Sequence, residues 1–266
     1  MTLKKTLFYL VTGGVFVFPL FLLLLQSISA PFRFHTGNGI TLQWTSYQRL
    51  WNDPYLIEAT GTSVLIAFSV LILNFLIALP AGKALATTTF RGKAILEAFL
   101  LAPLLIPVLA ITMGLHLWMI RIGLADTAAG VILIHLIPTV PYSIKIFHNT
   151  YKQIGSSMLQ QPEVLGAGKL QQLFTIELPL MKPAIRSTTF LTIVISLSQY
   201  AITSIIGGGQ VRTLPMVFFP FMENADPSLM SAFSIWFALV PLAMYAIVEG
   251  MISFLPYTHT RWRNQR

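Results

Sequence analysis

The sequence contains no cysteine and few charged residues. The absence of cysteine excludes disulfide bonds, thiolate nucleophiles and thiolate metal sites. Charged residues make up only 10% of the 266 positions, whereas hydrophobic residues make up 55%. In a soluble domain roughly a quarter of the residues are charged. The composition therefore identifies an integral membrane protein, and we expect it to be all-helical because an isolated apolar segment in lipid satisfies its backbone polar groups only within a helix.

Sets of catalytic or metal-binding side chains are also missing. No pair of His, Asp or Glu has metal-ligand or catalytic spacing on one predicted helix. This argues against an intramembrane hydrolase or another membrane-bound enzyme, and we expect no metal and no cofactor. The net charge of +8 lies in short basic clusters between apolar runs, so we expect no nucleic-acid partner.

Six apolar stretches are long enough to cross a bilayer, which takes about 20 residues. We predict spans at residues 6–26, 63–85, 95–118, 128–147, 184–206 and 231–254. Lys4 and Lys5 would also suit a cleavable signal peptide. The apolar core after them exceeds the roughly 7 to 15 residues typical of such peptides, so we predict an uncleaved anchor. The chain, residues 1–266, is then a single transmembrane domain.

The distribution of Lys and Arg indicates how the chain is oriented. Basic residues concentrate in the connections that face the cytoplasm. Placing the N-terminus inside puts most of the 17 Lys and Arg on that side. We therefore expect both termini to be cytoplasmic, together with the long connection at residues 149–183.

Aromatic residues mark the long outer connection between the first two spans. Trp44, Tyr47 and Trp51 recur there at helical spacing. This pattern predicts an amphipathic helix at the membrane interface, where aromatic rings lie at headgroup depth and membrane lipid is the partner.

Few polar residues lie within the predicted spans. His116, His135 and Gln199 are candidates for lining a pathway through the membrane. A structural role stays open for the histidines, because a lone membrane histidine more often bonds a neighbouring helix.

The connection at residues 149–183 contains the sequence GAGK, which looks like the end of a phosphate-binding loop. That motif, G-x-x-x-x-G-K-[ST], needs its first glycine at position 163 and a hydroxyl at position 170. The residues there are Glu163 and Leu170, so both requirements fail. We therefore expect no nucleotide site in this segment.

The same connection has the pattern of two short amphipathic helices. Gly166 and Gly168 between them predict a turn, since glycine tolerates a positive φ. In the second helix, apolar residues including Leu170 and Phe174 lie near one face, and Glu177 is among the polar residues placed elsewhere. The apolar face needs a cover, either the inner ends of the chain's own spans or a partner.

This segment resembles the cytoplasmic loop that characterises ABC importer permeases, the membrane subunits of binding-protein-dependent uptake systems. Gly166, Ile176, Leu178 and Pro179 have the spacing of the family's G-x9-I-x-L-P motif. The family motif opens with Glu-Ala-Ala, whereas residues 160–162 here are Gln-Gln-Pro. The resemblance extends over about residues 47–250 and is nearest in character to permeases for polyamines, iron and thiamine.

The resemblance implies a type I importer permease with six transmembrane helices and a cytoplasmic coupling-helix hairpin in a bacterial-type inner membrane. It implies pairing with a second permease, identical or different, around a translocation pathway. A cytosolic ATPase dimer would engage the hairpin and a soluble binding protein would deliver substrate, so this chain would not itself be an enzyme. The residues implied in the ATPase contact and its transmission are Gln160, Glu163, Leu165, Gly166, Ala167, Lys169, Leu170, Ile176 and Pro179.

Two alternative functions stay open at this point. An ion-gradient-driven secondary transporter would need an intramembrane carboxylate near the bilayer midplane. Glu97 and Glu249 lie near the predicted cytoplasmic ends of their spans instead. The second alternative is a non-transporting membrane protein such as an assembly factor.

Overall fold

The computed structural model describes residues 2–30, 41–224 and 226–255. Part of the predicted outer connection, residues 31–40, and the predicted cytoplasmic tail, residues 256–266, lie outside the described residues. The described chain forms helices and an isolated β-bridge between Ser29 and Leu42. The helices are α1 (Thr2–Ser27), α2 (Thr45–Trp51), α3 (Leu56–Thr87), α4 (Lys93–Leu105), α5 (Val108–Arg121), α6 (Ala128–Ile154), α7 (Ser156–Val164), α8 (Lys169–Leu180), α9 (Lys182–Leu197), α10 (Tyr200–Ile206), α11 (Leu214–Asn224) and α12 (Pro227–Ser253).

Four of these helices are long and apolar enough to cross a membrane: α1, α3, α6 and α12. They contain nearly all of the predicted spans at residues 6–26, 63–85, 128–147 and 231–254. Two bent helix pairs, α4 with α5 and α8 with α9, raise the number of candidate spans to six if each pair counts as one.

The predicted span at residues 95–118 is wrong as a single helix. The structure ends α4 at Leu105 and begins α5 at Val108, and the two axes differ by 97°. Pro107 explains the break because proline supplies no backbone N–H and disfavours helical geometry at the preceding residue. Ile106 accordingly has an extended backbone, with φ −92° and ψ 137°.

The predicted span at residues 184–206 is also divided. Helix α9 ends at Leu197, and the backbone of Gln199 leaves the helical region, with ψ 76°, before α10 begins. At its other end, α9 meets α8 at a bend of 76° around Met181, followed by Pro183 in the first turn of α9.

Local sequence sets both ends of α6, the helix that leads into the hairpin region. The Thr127 hydroxyl accepts a hydrogen bond from the backbone N–H of Gly130 at 3.1 Å and so caps the helix start. The helix ends at Gly155, whose φ of +82° is in the region that favours glycine. The backbone at Gly155 therefore interrupts the helical conformation between α6 and α7.

The chain divides into two compact units. The first comprises Met1–Gly61 and Arg212–Val240, and the second comprises Thr62–Val211 and Pro241–Arg266. In the second unit, an apolar core joins α3, α5, α6 and α10. Its buried residues are Ile66, Val70, Met119, Val131, Ile134, Ile202, Ile206 and Val211.

Helices α3 and α6 pack closely within the second unit. The Asn74 side-chain amide donates to the Thr139 hydroxyl at 2.7 Å. Nearer the end of α3, the backbone of Gly82 lies so close to α6 that an added Cβ would be 2.7 Å from the Cβ of Phe147. Glycine is required there because the two helices approach each other too closely for a side chain.

In the first unit, α2 confirms that the aromatic segment is helical. Trp44 and Trp51 are exposed, and the Trp51 ring packs edge-to-face against Trp236 with centroids 5.9 Å apart. Tyr47 is used differently, since its hydroxyl donates to the Ser27 hydroxyl at 3.0 Å and ties α2 to the end of α1.

Candidate functional site

The candidate site is the hairpin at residues 155–181, formed by α7, a turn and α8. The turn has the hydrogen bonds of a Schellman motif: Gly166 N–H donates to the Glu163 carbonyl at 3.0 Å, and Ala167 N–H to the Pro162 carbonyl at 2.9 Å. Gly166 has φ +82°, as its predicted role in the turn requires. Gly168 does not share this role, because its φ is −65° and it lies at the start of α8.

The Gln-Gln-Pro departure from the family motif leaves α7 helical. Pro162 is buried within α7, and its carbonyl accepts the closing bond of the turn. Pro162 supplies no N–H to the carbonyl one turn earlier, at Met158. Gln160 is exposed on the same helix.

Apolar side chains are exposed around the turn. Leu165 is 85% exposed and Leu170 is 73% exposed, while Val164 and Phe174 are also exposed. The chain's own helices therefore leave most of the surface of Leu170 and Phe174 uncovered in the described structure.

Polar residues instead form the inward face of α8. Gln172 is buried and donates from its side-chain amide to the Leu159 carbonyl at 2.8 Å, which holds α8 against α7. Glu177 is buried with only 1% exposure. In this part of α8, the buried side therefore carries Gln172 and Glu177, while Leu170 and Phe174 are exposed.

A π-helical stretch brings these two polar residues to the same side of α8. The segment Leu173–Glu177 is π-helical. In a regular α-helix, Gln172 and Glu177 would lie roughly 140° apart around the axis. The π-helical i→i+5 pattern brings residues five apart towards one face, so both can point inward.

The carboxylate of Glu177 is bound by two side chains from two other helices. Its Oε1 accepts a hydrogen bond from Lys83 Nζ on α3 at 2.6 Å, and its Oε2 accepts one from the Tyr151 hydroxyl on α6 at 2.7 Å. These three residues were not predicted as a group from the sequence. The available signal was the single charged residue in the mostly apolar sequence FTIELPL.

Two cavities flank the hairpin. The charged and amide side chains among the predicted contact residues line one cavity, and most of the apolar ones line the other. One cavity, of about 470 Å³, is lined mostly by residues with polar side chains, and we call it the polar cavity; its lining includes Gln160, Glu163, Ala167 and Lys169, together with Lys83. A second cavity, of about 690 Å³, is more apolar. Its lining includes Met158, Pro162, Leu165, Gly166, Ile176 and Leu180. The structure thus groups most of the predicted coupling residues around one turn.

The remaining predicted coupling residues lie at the edges of this arrangement. Leu170 is at the exposed start of α8, beside the turn. Pro179 is buried near the end of α8, two residues before the bend at Met181. The predicted set therefore runs from an exposed tip to a buried junction with α9.

The pathway candidates occupy different environments. His135 is buried, with Nδ1 3.0 Å from the Ser196 hydroxyl on α9 and Nε2 3.1 Å from the Thr203 hydroxyl on α10. Gln199 is partly exposed at the break between those helices, and His116 is partly exposed on α5. Within the described ranges, no hydrogen bond joins His116 to the other two.

Comparisons with known proteins agree on a family. The model of a family described as "Binding-protein-dependent transport system inner membrane component" matches residues 77–256, which include the whole hairpin. The spermidine/putrescine transport system permease protein PotC of Haemophilus influenzae is 26% identical over 206 residues, covering 77% of this chain and 80% of the relative. The molybdate/tungstate transport system permease protein WtpB of Pyrococcus abyssi is 29% identical over 136 residues, covering 51% of this chain and 54% of the relative.

Solved structures show the same fold. A chain of a bacterial ABC transporter that imports the acidic polysaccharide alginate has a TM-score of 0.73 at 16% identity, covering 93% of this chain and 95% of that chain. A chain of the MetNI methionine ABC transporter in an inward-facing conformation has a TM-score of 0.59 at 13% identity, covering 79% of this chain and 98% of that chain. The predicted all-helical importer-permease fold is confirmed.

Proposed function

Because this chain belongs to the family of binding-protein-dependent transport system inner membrane components, we propose that its hairpin is the surface through which a separate ATPase drives transport. The chain is a multi-pass inner-membrane permease component of an ABC importer, and the ATPase is a separate subunit. Membership implies a complex with an ATPase and a binding protein. It also removes the gradient-driven transporter and the assembly factor as alternatives.

The exposed apolar tip of the hairpin is the observation that carries this proposal. Leu165 and Leu170 are largely exposed on either side of a hydrogen-bonded turn. Exposed apolar surface rimmed by polar side chains is typical of a protein-binding site. Glu163 and Lys169 supply such a rim of opposite charges beside the leucines.

We assign each coupling residue a role from its position. Leu165 and Leu170 are the apolar anchors, and Gly166 and Ala167 keep the turn small enough for close approach. Polar contacts to the ATPase come from the side chains that line the polar cavity, Gln160, Glu163 and Lys169. At the other end of the hairpin, Ile176 and Pro179 pass its displacement towards α9.

The proposed complex is described by the orientation of this chain in the membrane and by the number of its subunits. The excess of Lys and Arg predicts that both termini and the hairpin face the cytoplasm, where ATP is available. Residues 1–266 then act as one transmembrane domain that pairs with a second permease, identical or different, above two ATPase subunits. ATP-driven closure of the ATPase pair moves the hairpins, and a soluble binding protein supplies cargo on the opposite side.

Cargo selection, the pathway and the contact with lipid involve groups other than the hairpin. The relatives are named for spermidine/putrescine and molybdate/tungstate transport, and we assign cargo selection chiefly to the binding protein. We propose that His116 and Gln199 line the pathway, and that His135 acts on it by holding the helices beside Gln199. The exposed Trp44 and Trp51 contact membrane lipid near α2.

A variant of the turn tests the ATPase contact. The Leu165→Asp variant, tagged and purified from its native membranes in mild detergent, should lose the co-purifying ATPase that the wild-type chain retains in mass spectrometry. Gln153→Asp is the matched control, because Gln153 is exposed in the last turn of α6, just outside the hairpin. Equal ATPase recovery with wild type, Leu165→Asp and Gln153→Asp would contradict the proposal.

A further inference from the structure

The buried Glu177 carboxylate joins three elements of the fold. One oxygen is bound by Lys83 of α3 and the other by Tyr151 of α6, while Glu177 itself belongs to α8. Both oxygens are therefore satisfied, although the residue is almost entirely removed from solvent. We call Lys83, Tyr151 and Glu177 the carboxylate clamp.

The stability of the fold does not by itself require a charged group here. A buried ion pair is often no more stabilising than apolar residues of similar volume, because desolvation offsets the attraction between the charges. Its directional bonds, in contrast, fix the positions of the groups that make them. The clamp therefore has its clearest effect on where α8 lies relative to α3 and α6.

The clamp lies between the docking turn and the junction with α9. Glu177 is the last residue of the π-helical stretch, and the bend at Met181 follows four residues later. On the other side, Lys83 also lines the polar cavity that contains Gln160, Glu163 and Lys169. A force applied at the turn thus reaches the clamp before it reaches α9.

The hairpin would otherwise have two joints. Its entry is Gly155, with φ +82°, and its exit is the 76° bend at Met181. Internally the hairpin is braced by the bond from Gln172 to the Leu159 carbonyl. Glu177 adds an attachment of the braced hairpin to α3 and α6 between these two points.

The helices at the other side of the clamp are themselves a packed pair. Gly82, next to Lys83, allows the close approach of α3 to Phe147 on α6. The Asn74 to Thr139 bond joins the same two helices. The clamp therefore connects the hairpin to two helices that are packed against each other.

We propose that Glu177 is a positioning residue that makes the hairpin, α3 and α6 move as one body during transport. This inference rests on the proposed contact between the hairpin and the ATPase. A movement of the hairpin is then transmitted to α3 and α6 through the clamp, in addition to its transmission along the chain to α9.

Distance measurement in the assembled importer tests the clamp. The chain has no cysteine, so Thr87→Cys on α3 and Thr175→Cys on α8 place two spin labels without removing any native thiol. With Glu177 intact, pulsed electron paramagnetic resonance should give one narrow distance both without nucleotide and after trapping with ATP and vanadate. In Glu177→Gln, we expect the trapped state to give a broad distribution of distances in place of the single narrow distance.

Two further variants separate the clamp from general damage to the fold. Tyr151→Phe removes one hydrogen-bond donor and should also broaden the distance distribution in the trapped state. This variant keeps the test available if Glu177→Gln does not accumulate. Exchange of the charges, Lys83→Glu with Glu177→Lys, should restore the single distance. Glu249→Gln is the matched control, because it removes the carboxylate partner of Arg186 outside the hairpin and should leave the distance unchanged.

The outcomes distinguish the clamp from the docking contact. Recovery of the ATPase is measured for every variant. If Glu177→Gln keeps the ATPase and the single distance in both states, the clamp is overturned while docking stands. If Glu177→Gln loses the ATPase, the clamp is also overturned, since Glu177 would serve docking itself. Retention of the ATPase by Leu165→Asp contradicts docking alone.

Discussion

The imidazole of His135 is hydrogen-bonded to the Thr203 hydroxyl across two helices, with 3.1 Å between Nε2 and Oγ1. Thr203 already donates its single hydroxyl proton to the Gln199 carbonyl at 2.5 Å, so it must accept from Nε2–H. The other ring nitrogen, Nδ1, is hydrogen-bonded to the Ser196 hydroxyl at 3.0 Å. His135 therefore holds α9 and α10 on both sides of the break at Gln199.

Replacement of His135 should destabilise the protein. His135→Ala removes the partner of two buried hydroxyl groups and leaves a cavity, and we expect the free energy of unfolding to fall by about 1–3 kcal/mol. Thermal unfolding in detergent measures the change. His116→Ala is the control, because His116 is only partly buried. Equal losses for both variants would contradict the bridging role of His135.

The turn glycines should respond differently to substitution. Gly166→Pro cannot adopt φ +82° and removes the N–H that bonds the Glu163 carbonyl, so we expect it to abolish uptake and ATPase recovery while the protein remains in the membrane. Gly168→Ala should be nearly neutral, because φ is −65° and no neighbouring atom would meet the added Cβ within 4 Å. Normal uptake with bound ATPase in Gly166→Pro would refute the role of the turn.

The carboxylate clamp predicts a specific pattern of stability changes. Lys83→Met leaves Glu177 buried without its cation and should lower the free energy of unfolding by about 3 kcal/mol, at the lower end for broken buried pairs because Lys83 is 39% exposed. The double variant Lys83→Met with Glu177→Met should recover most of this loss, since no unpaired charge remains. A double-mutant cycle by thermal unfolding measures the coupling, and simple additivity would count against the pair.

The purified chain should not hydrolyse ATP. A stronger test restores the missing consensus residues of a phosphate-binding loop, with Glu163→Gly and Leu170→Ser in one variant. We still expect no hydrolysis and no nucleotide binding, because residue 163 lies within the helix α7 and not in a loop that follows a strand. Nucleotide binding by the purified variant, followed with a fluorescent ATP analogue, would show that this segment can form such a site.

Much of the fold follows from the lengths of the apolar runs. Helices α1, α3, α6 and α12 were predictable because each contains an uninterrupted apolar stretch of membrane length. The same criterion failed at Pro107, because it counts apolar residues without considering the direction of the chain. The sequence contained the proline, but the angle of 97° depends on three-dimensional packing.

The candidate site was only partly predictable for a related physical reason. Gly166 and the residues around it could be located from motif spacing, and the structure places Gly166 in the turn as expected. The burial of Gln172 and Glu177 on one side of α8 was not predicted, because helical periodicity assumes 3.6 residues per turn. A π-helical stretch changes that periodicity locally, and its presence is visible only in the folded chain.

The break between α4 and α5 has a consequence for how this protein is solvated. At 1.5 Å per residue, each of the two helices is about 20 Å long, whereas the hydrocarbon layer is about 30 Å thick. Leu105 is 85% exposed beside the extended backbone of Ile106, and the last carbonyls of α4 have no helical partners. Acyl chains cannot hydrogen-bond to such groups, so a neighbouring polypeptide or a water-filled passage must cover them. Cover by polypeptide or water is thus a solvation requirement of this chain's own backbone.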